Sequence, residues 1–273
     1  MKLKQALKKK LTKAQLKKLV TSFDVVGDIA IIEIPEKLGK KEKLIADTLL
    51  KLHKNIKVIC KKTGIHRGIF RRQKLKIIAG EKRKTTTYKE NNVTMKLHVQ
   101  DVYFSPRLSH ERLRIAKQVK PGESVLIMFS GVAPYCLVIA KNTKAKEVYG
   151  IEINPLAHKF ALENIKLNKL NNIKLFLGDV RLITPTLKKK FDRIAMPLPL
   201  GGANFLDVAL AAIKKGGTIH FYDFKDELGF KIAKQKVRDA CKAAKKKCRI
   251  LKITKAGQIS PRTYRICIDF KVH

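Results

Sequence analysis

The strongest constraint on the fold is a regular alternation of short β-rich runs with helical stretches in the second half of the chain. The runs are SVLIMFS, EVYGIEI, NIKLFLG, FDRIAM and GTIHFYDF, each separated from the next by a helix-like segment. Strands that alternate with helices in this way form a parallel sheet with helices on its faces. The tail KCRILKITKAGQISPRTYRICIDFKV instead predicts two long strands. We therefore predict an α/β, doubly wound, mostly parallel sheet with an antiparallel C-terminal edge.

The first hundred residues follow a different pattern, which predicts a small α+β domain over residues 21–101. The runs KTTTYKE and VTMKLHV flank Asn91-Asn92, and such a pair of residues between two strands favours a tight hairpin. Residues 1–20 have leucines near helical spacing and predict a basic amphipathic helix, which either contacts RNA or packs on the next domain. The sheet domain is predicted over residues 102–273.

Positive charge dominates the composition. The chain has 61 Lys and Arg against 22 Asp and Glu, which gives a formal net charge of +39. A field of this sign attracts polyanions and speeds their encounter with the protein. A general bias toward lysine is the alternative explanation, yet a chain this positive would bind RNA in either case. We therefore expect a nucleic-acid partner.

Several other classes of protein are excluded by what the sequence lacks. No apolar run reaches about 18 residues, so no transmembrane helix is predicted, and the N-terminal segment has no secretory signal. The five cysteines and seven histidines show no metal-ligand spacing. We expect a cytoplasmic monomer with reduced thiols, no metal and no membrane contact.

Polar or glycine-containing segments follow four of the predicted strands, at the edge where doubly wound sheets bind ligands. Gly131 allows close backbone approach, and Glu152 lies about 20 residues later, where an acid accepts hydrogen bonds from a ribose. Asp179 follows the third strand, at the position of an adenine edge. The segment GVAP lacks the full GxGxxG of dinucleotide sites, so S-adenosylmethionine fits better than a pyrophosphate ligand. Tight packing and helix capping are the alternative roles of these residues.

The motifs YFSPRLSHERLR, MFSGVAPY, GIEINPLAHKFALENIKLNKL, GDVR, GGTIHFYDF and SPRTYRICIDF together resemble a known family. They are similar to the archaeal and eukaryotic tRNA (guanine-37-N1)-methyltransferases, a class I S-adenosylmethionine-dependent family that includes wyosine-pathway relatives. The resemblance runs from about residue 21 to the C-terminus. It implies a Rossmann-like methyltransferase sheet and binding of a tRNA anticodon stem-loop. The domain with which longer members grip the tRNA elbow is expected to be absent or reduced to the basic N-terminal helix.

The resemblance also implies roles for individual residues. Glu111 is the expected base, Arg71 (or Arg72) supports O6 of the target guanine, and Arg107 and Pro199 complete the catalytic set. The cofactor-binding residues implied are Arg112, Phe129, Gly131, Glu152, Ile153, Asp179, Val180 and Pro197. As alternatives, Glu111 is an ordinary acid in a first helical turn capped by Ser109, the arginines contact phosphates, and Tyr135 and Phe129 pack in the core.

Three departures from the family pattern bear on the target base. The family sequence Asn-Leu-Pro is Pro197-Leu198-Pro199 here, Ile127 replaces an acid, and Ala133 replaces the second loop glycine. The leading hypothesis is methylation of N1 of guanosine 37. One alternative is a wyosine-pathway transferase, by aminocarboxypropyl transfer or methylation of a tricyclic base. The other is a non-catalytic RNA-binding protein with a decayed cofactor pocket.

Overall fold

The computed structural model describes residues 2–65, 67–226 and 228–273, except for the side chain of Ile259. His66, part of a predicted basic strip with Arg67, Arg71 and Arg72, lies outside the described residues. The chain divides into two compact units. The small domain comprises the chain up to Lys89 together with Thr94–Pro106, and the sheet domain comprises Glu90–Val93 and Arg107–His273.

The first ten elements fall in or border the small domain. They are α1 (Leu3–Ala6), α2 (Lys13–Lys18), β1 (Phe23–Val26), β2 (Ile29–Ile32), a 3-10 helix (Glu36–Lys41), α3 (Glu42–Leu52), β3 (Val58–Lys62), β4 (Leu75–Gly80), β5 (Thr85–Glu90) and β6 (Val93–His98). Strands β1 to β4 form one sheet in chain order, with only β2 and β3 parallel. Every residue of β2 is buried, which explains its unbroken apolar sequence IAII.

The N-terminal segment forms two short helices and not the single predicted helix. Thr12 separates the two helices because it caps α2. The Gln15 backbone N–H donates to the Thr12 hydroxyl at 3.2 Å, and the Thr12 N–H donates to the Gln15 side chain at 3.0 Å. Leu3, Leu7 and Leu11 are buried in the core of the small domain. The predicted separate segment 1–20 is therefore part of that domain.

Strands β5 and β6 form the predicted hairpin, which is confirmed. Asn91 and Asn92 have φ of 43° and 65°, the left-handed conformation that a two-residue turn between right-twisted strands requires. The tip of this hairpin belongs to the sheet domain. There the Asn91 side chain donates to the carbonyl of Ser109 at 2.9 Å, and the Asn142 side chain donates to the carbonyl of Asn91 at 2.8 Å.

The remaining elements build the sheet domain. They are a 3-10 helix (Pro106–Leu108), α4 (Ser109–Ala116), β7 (Ser124–Met128), α5 (Pro134–Asn142), β8 (Glu147–Glu152), α6 (Pro155–Leu167), β9 (Ile173–Leu177), α7 (Val180–Thr186), β10 (Phe191–Met196), a 3-10 helix (Gly202–Phe205), α8 (Leu206–Ala212), β11 (Ile213–Lys225), α9 (Phe230–Ala243), β12 (Cys248–Ser260) and β13 (Thr263–Val272). Among the described residues, no helix is both long and apolar enough to cross a membrane.

The seven strands of the sheet domain lie in the order β12-β13-β11-β10-β7-β8-β9. Strands β7 to β11 pair in parallel, and β13 lies antiparallel between β11 and β12. The predicted fold class is confirmed. The strand order reverses between β7 and β10, so the carboxyl ends of β7, β8, β9 and β10 meet where doubly wound sheets bind ligands. An apolar core that includes Phe191, Phe221 and Phe270 supports this edge.

Candidate active site

The carboxyl ends of four adjacent parallel strands are partly exposed, although most residues of β7, β8 and β10 are buried. Every residue of β7 is buried, whereas Phe129 and Gly131 just beyond it are half-buried. Glu152, Ile153 and Asp179 at the ends of β8 and β9 are also half-buried. The structure thus brings together the acids and the glycine that the sequence placed on separate strand ends.

Glu152 joins two of these strand ends. The Gly131 backbone N–H donates to Glu152 Oε2 at 2.6 Å, and the Asn154 N–H donates to Oε1 at 2.8 Å. Burial raises the pKa of the Glu152 carboxyl, against the lowering effect of these backbone donors. Each carboxylate oxygen has two lone pairs, so the group can accept further hydrogen bonds from a diol. This arrangement fits a ribose.

Asp179 caps helix α7, as the alternative interpretation held. One oxygen of its carboxylate accepts a hydrogen bond from the Arg181 N–H at 2.7 Å. The other oxygen makes no hydrogen bond to the described residues. Val180, the first residue of the helix, is buried at 3% exposure. One carboxylate oxygen is therefore available for the predicted nucleobase contact.

The loop after β7 has an unusual backbone. Phe129 and Ala133 have φ of 60° and 67°, in the left-handed region that costs residues with a Cβ about 1–2 kcal/mol. Ala133 stands where the family glycine was expected, and it occupies the cap position of α5 in the conformation that glycine favours. The Phe129 ring contacts the Phe205 ring edge-on, with centroids 4.9 Å apart. Strain of this kind is held in place by surrounding structure and clusters at functional sites.

The segment after β10 is a tight turn centred on Pro197. The Leu198 N–H donates to the carbonyl of Met196 at 2.7 Å, which closes the turn around the proline. Pro199 is buried, and Pro197 is half-buried. Gly201 then takes φ of 82° before the next 3-10 helix. The two prolines restrict the backbone to one conformation at the end of β10.

Glu111 lies in the first turn of α4 and is only 4% exposed. The Arg114 guanidinium donates to both of its oxygens, from Nε to Oε2 at 2.7 Å and from Nη2 to Oε1 at 2.8 Å. The Tyr222 hydroxyl donates to Oε1 at 2.6 Å. The prediction that Ser109 caps this helix is wrong: Leu108 holds the cap position without a side-chain hydrogen bond. Glu111 is therefore a buried, fully oriented carboxylate.

Arg112 forms a buried ion pair with Glu90. Its guanidinium donates to both carboxylate oxygens at 2.5 and 2.6 Å, and the two side chains are each 2% exposed. It also lies 6.0 Å from the ring centroid of Tyr135. Tyr135 itself is 3% exposed and packs in the interior, as its alternative interpretation held. These contacts neutralise the charge of Arg112 inside the sheet domain, and its assignment to the cofactor stays a prediction.

The other predicted arginines are more exposed. Arg107 lies exposed in the 3-10 helix before α4. In the small domain, Arg71 has φ of 50° and lies 5.9 Å from the ring centroid of Tyr103, while Arg72 lies 5.4 Å from that of Phe70. The catalytic roles of Arg71 and Arg107 stay predictions.

Sequence reasoning missed the residues that hold Glu111. Arg114 also donates to Asp269 of β13, from Nη1 to Oδ2 at 2.6 Å. Asp269 in turn accepts from His220 Nδ1 at 2.7 Å. A signal was present, because His220 and Asp269 are polar residues between apolar neighbours in the strand sequences GTIHFYDF and ICIDF. Polar residues at such positions are buried and need partners.

The strand order and the acids at the strand ends define a class of protein, the nucleoside-binding methyltransferases of the doubly wound fold. Two family models match the chain, the TRM5/TYW2 methyltransferase domain over residues 86–251 and the TYW2 N-terminal domain over residues 3–84. The first covers more than half of the chain. The protein belongs to the TRM5/TYW2 methyltransferase family, which confirms the resemblance seen in the sequence motifs.

Individual relatives are similar over most of their length. The tRNA (guanine(37)-N(1))-methyltransferase Trm5b of Pyrococcus abyssi is 42% identical over 257 residues, which cover 93% of this chain and 76% of that protein. Its crystal structure matches with a TM-score of 0.88, at 40% identity, over 96% of this chain and 78% of that one.

A second relative has a dual name. The tRNA (guanine(37)-N(1))/4-demethylwyosine(37)-methyltransferase Taw22 of Nanoarchaeum equitans is 36% identical over 305 residues, covering 91% of this chain and 98% of that protein. A crystal structure of TYW2 from M. jannaschii in complex with AdoMet matches with a TM-score of 0.72 at 25% identity, over 92% of this chain and 99% of that one.

Proposed function

We propose that this protein transfers a methyl group from S-adenosylmethionine to N1 of guanosine 37 in tRNA. The observation that carries the proposal is Glu111, a buried carboxylate fixed by three hydrogen bonds, in a chain that belongs to a tRNA methyltransferase family. Relatives at 42% and 36% identity are named for methylation of this nucleotide.

The cofactor fits the donor set at the strand ends. Glu152 and Asp179 present carboxylate oxygens to the ribose and the adenine, and Gly131 allows the backbone to approach closely. Phe129, Ile153, Val180 and Pro197 stand beside them on the same strand ends. S-adenosylmethionine supplies an electrophilic methyl group bound to a sulfonium.

The target nitrogen becomes nucleophilic only when it loses its proton. Glu111 accepts that proton, so that the N1–H bond breaks, an O–H bond forms on the carboxylate, and the electron pair remains on N1. Negative charge then develops on O6 of the guanine. Arg71 and Arg107 stabilise this charge, since cations placed near a developing oxyanion lower the barrier. Pro199 keeps the turn after β10 rigid beside the target base.

The partner is the anticodon stem-loop of tRNA, where single-stranded bases can be turned out of their stack. The charge of +39 favours this polyanion. The protein acts as a cytoplasmic monomer. Its affinity for tRNA is expected to fall steeply as salt rises.

A second candidate is methylation of a tricyclic wyosine-type base. Pro197 favours it, because a proline cannot provide the donor and acceptor of the family asparagine near the target base. A target with a different pattern of ring nitrogens has less need of that side chain. Taw22, at 36% identity, carries both activities in its name.

The test uses two labelled cofactors, one in the methyl group and one in the carboxyl carbon of the amino acid. Each is incubated with tRNA transcripts that carry G or A at position 37, and with tRNA that carries 4-demethylwyosine there. Methyl label in the G37 transcript alone establishes the proposed function. Methyl label in the wyosine-type tRNA alone establishes the second candidate.

The remaining outcomes exclude methylation at this site. Carboxyl label in tRNA identifies an aminocarboxypropyl transferase. No label in any tRNA, together with tight and salt-sensitive RNA binding, identifies a binding protein without activity. A Pro197→Asn variant is measured in parallel, and an increased preference for G37 in that variant shows that this position selects the base.

A further inference from the structure

Glu111 is one end of a chain of buried and half-buried polar groups in the sheet domain. Arg114 links Glu111 to Asp269, which accepts from Arg114 Nη1 at 2.6 Å and from Nη2 at 3.2 Å. Beyond Asp269, His220 Nε2 lies 2.8 Å from Arg193 Nη1. The last link of the chain is the hydrogen bond that Arg193 Nε donates to Glu123 Oε2 at 2.8 Å.

The hydrogen-bond pattern fixes the state of His220. A guanidinium has no acceptor, so Arg193 donates to Nε2, and Nδ1 carries the proton that is donated to Asp269. Burial lowers the pKa of His220, against the raising effect of Asp269. His220 is therefore neutral, and it serves as a fixed link between Arg193 and Asp269.

The titratable groups around Glu111 come from several elements. Arg114 of its own helix and Tyr222 of β11 donate to Glu111 directly. Linked to it through these two are Tyr135 of α5, Asp269 and Cys267 of β13, His220 of β11 and Arg193 of β10, while Arg112 of the same helix pairs with Glu90 of β5. Burial raises the pKa of the Tyr135, Tyr222 and Cys267 side chains, which are neutral. Glu90 and Arg112 neutralise each other.

The charges along the chain do not balance. Three carboxylates, Glu111, Asp269 and Glu123, meet two guanidiniums, Arg114 and Arg193, so the chain carries one excess negative charge. Burial opposes the ionisation of Asp269, yet hydrogen bonds from His220 and Arg114 keep its pKa well below the usual range. The Arg114 guanidinium is thus shared between two carboxylates, Glu111 and Asp269.

The contacts also select which oxygen of Glu111 is open. Oε1 accepts from both Tyr222 and Arg114, whereas Oε2 accepts from Arg114 Nε alone among the described residues. Because a carboxylate oxygen has two lone pairs, Oε2 has one that is unused. A proton from a bound base is accepted most directly there.

We propose that Arg114 is a positioning residue that aims Oε2 of Glu111 at the proton of the target base, and that Asp269 sets how strongly the Arg114 charge acts on Glu111. This inference rests on the proposed function of Glu111 as the base. His220, Cys267 and Asp269 also lie close enough together to suggest a metal site. Hydrogen bonds from Arg114 to Asp269 and from Arg193 to His220 oppose a cation there, which favours the positioning role.

The test measures single-turnover methylation of the G37 transcript against pH for the wild type and for Arg114→Met, Arg114→Lys and Asp269→Asn. Arg114→Met removes a positive charge beside Glu111, so the acidic limb of the profile is expected to move up by about one pH unit, and the rate to fall at least about tenfold. Asp269→Asn removes the competing carboxylate, so the limb is expected to move down. Arg114→Lys keeps the charge but loses the planar fork, so the rate falls while the limb stays in place.

Several controls keep the outcomes distinct. Glu147→Gln alters a carboxylate at the start of β8, outside this chain of polar groups, and is expected to leave the profile unchanged. Rates are normalised to folded protein, and tRNA affinity is expected to stay within about twofold. If the limbs of Arg114→Met and Asp269→Asn coincide with that of the wild type, the inference is overturned and Arg114 is only structural. If Arg114→Met does not fold, the direction of the shift in Asp269→Asn decides. If wild-type protein methylates no G37 transcript, the proposed function itself fails.

Discussion

The two halves of the candidate site are built on opposite principles. Around helix α4, charged side chains are buried and paired, as in Glu111 with Arg114 and Glu90 with Arg112. At the ends of β7 to β10, the site is formed mainly by half-exposed residues and by backbone groups in unusual conformations, such as Phe129 and Ala133. The first half is organised by side-chain electrostatics and the second by backbone shape.

This difference matches the role proposed for each half. A base that accepts a proton depends on the charges around it, and these act strongly only where water is excluded. A nucleoside cofactor must enter and leave, so its site stays open and uses groups whose positions the fold already fixes. We therefore expect substitutions near α4 to have large effects, and substitutions in the loops to have small ones unless they alter the backbone.

The largest effect is expected from Glu111→Gln. The amide keeps the shape of the side chain but cannot act as a base, so single-turnover methylation falls by about 10²–10⁴-fold while tRNA binding is retained. Transfer of labelled methyl groups and a filter-binding assay measure the two properties. Turnover equal to that of the wild type would remove the assignment of Glu111 as the base.

The next effect is on stability. Glu90→Gln leaves the Arg112 guanidinium buried without a counter-charge, which is expected to lower the free energy of unfolding by about 3–5 kcal/mol. Denaturant unfolding followed by circular dichroism measures it. As a matched control, Glu33→Gln breaks a pair between the exposed Glu33 and Lys62, and its effect is expected to be below about 1 kcal/mol. Similar losses in the two variants would contradict the special status of the buried pair.

A smaller effect depends on pH. Burial holds the pKa of His220 below its ordinary value of 6.5, so the unfolded chain takes up this proton before the folded protein does. Neutral His220 therefore makes its full contribution to the free energy of unfolding above about pH 6.5. As the pH falls below that value, the contribution decreases by up to about 1.4 kcal/mol per pH unit. His220→Gln is expected to remove that part of the slope. Unfolding free energies between pH 7.5 and 5.0 provide the comparison.

The smallest effect is expected in the loop. Ala133→Gly relieves the left-handed backbone but adds freedom to the unfolded chain, so the free energy of unfolding changes by less than about 1 kcal/mol. Ala133→Val places a β-branched residue in the same conformation and is expected to lose more stability than the glycine variant gains. Thermal unfolding of both variants checks this order. A large loss in the glycine variant would show that the buried methyl group matters more than the backbone.

The parts of the molecule that the sequence predicted are those specified by local pattern. The alternation of strands and helices gave the sheet, and Asn91-Asn92 gave the hairpin turn, because each signal is contained in a few neighbouring residues. The positions of Gly131, Glu152 and Asp179 on adjacent strand ends followed from the rule that parallel strands end at one edge. Family resemblance added Glu111, whose role as the base periodicity alone does not indicate and which stays a prediction.

The parts that escaped prediction depend on partners far apart in the chain. Arg114 and Asp269 are separated by 155 positions, and no periodicity links them. The sequence predicted one N-terminal helix where the structure has two short ones. Leucine spacing alone does not reveal that Thr12 caps α2 and so begins a new helix. Ser109 was predicted to be the cap because of its residue type. In the structure its carbonyl and hydroxyl instead accept hydrogen bonds from the side chain of Asn91, which lies in the β5–β6 hairpin turn.

That hairpin has a consequence for how the protein can be divided. Its tip carries Glu90, the counter-charge of Arg112, across the boundary between the two domains. A fragment that starts at Arg107 holds every strand of the large sheet and still lacks this carboxylate. Recombination or gene fusion that exchanges the first hundred residues must therefore bring along a matching acid. The sheet domain is therefore built from two separate stretches of the chain, Glu90–Val93 and Arg107–His273.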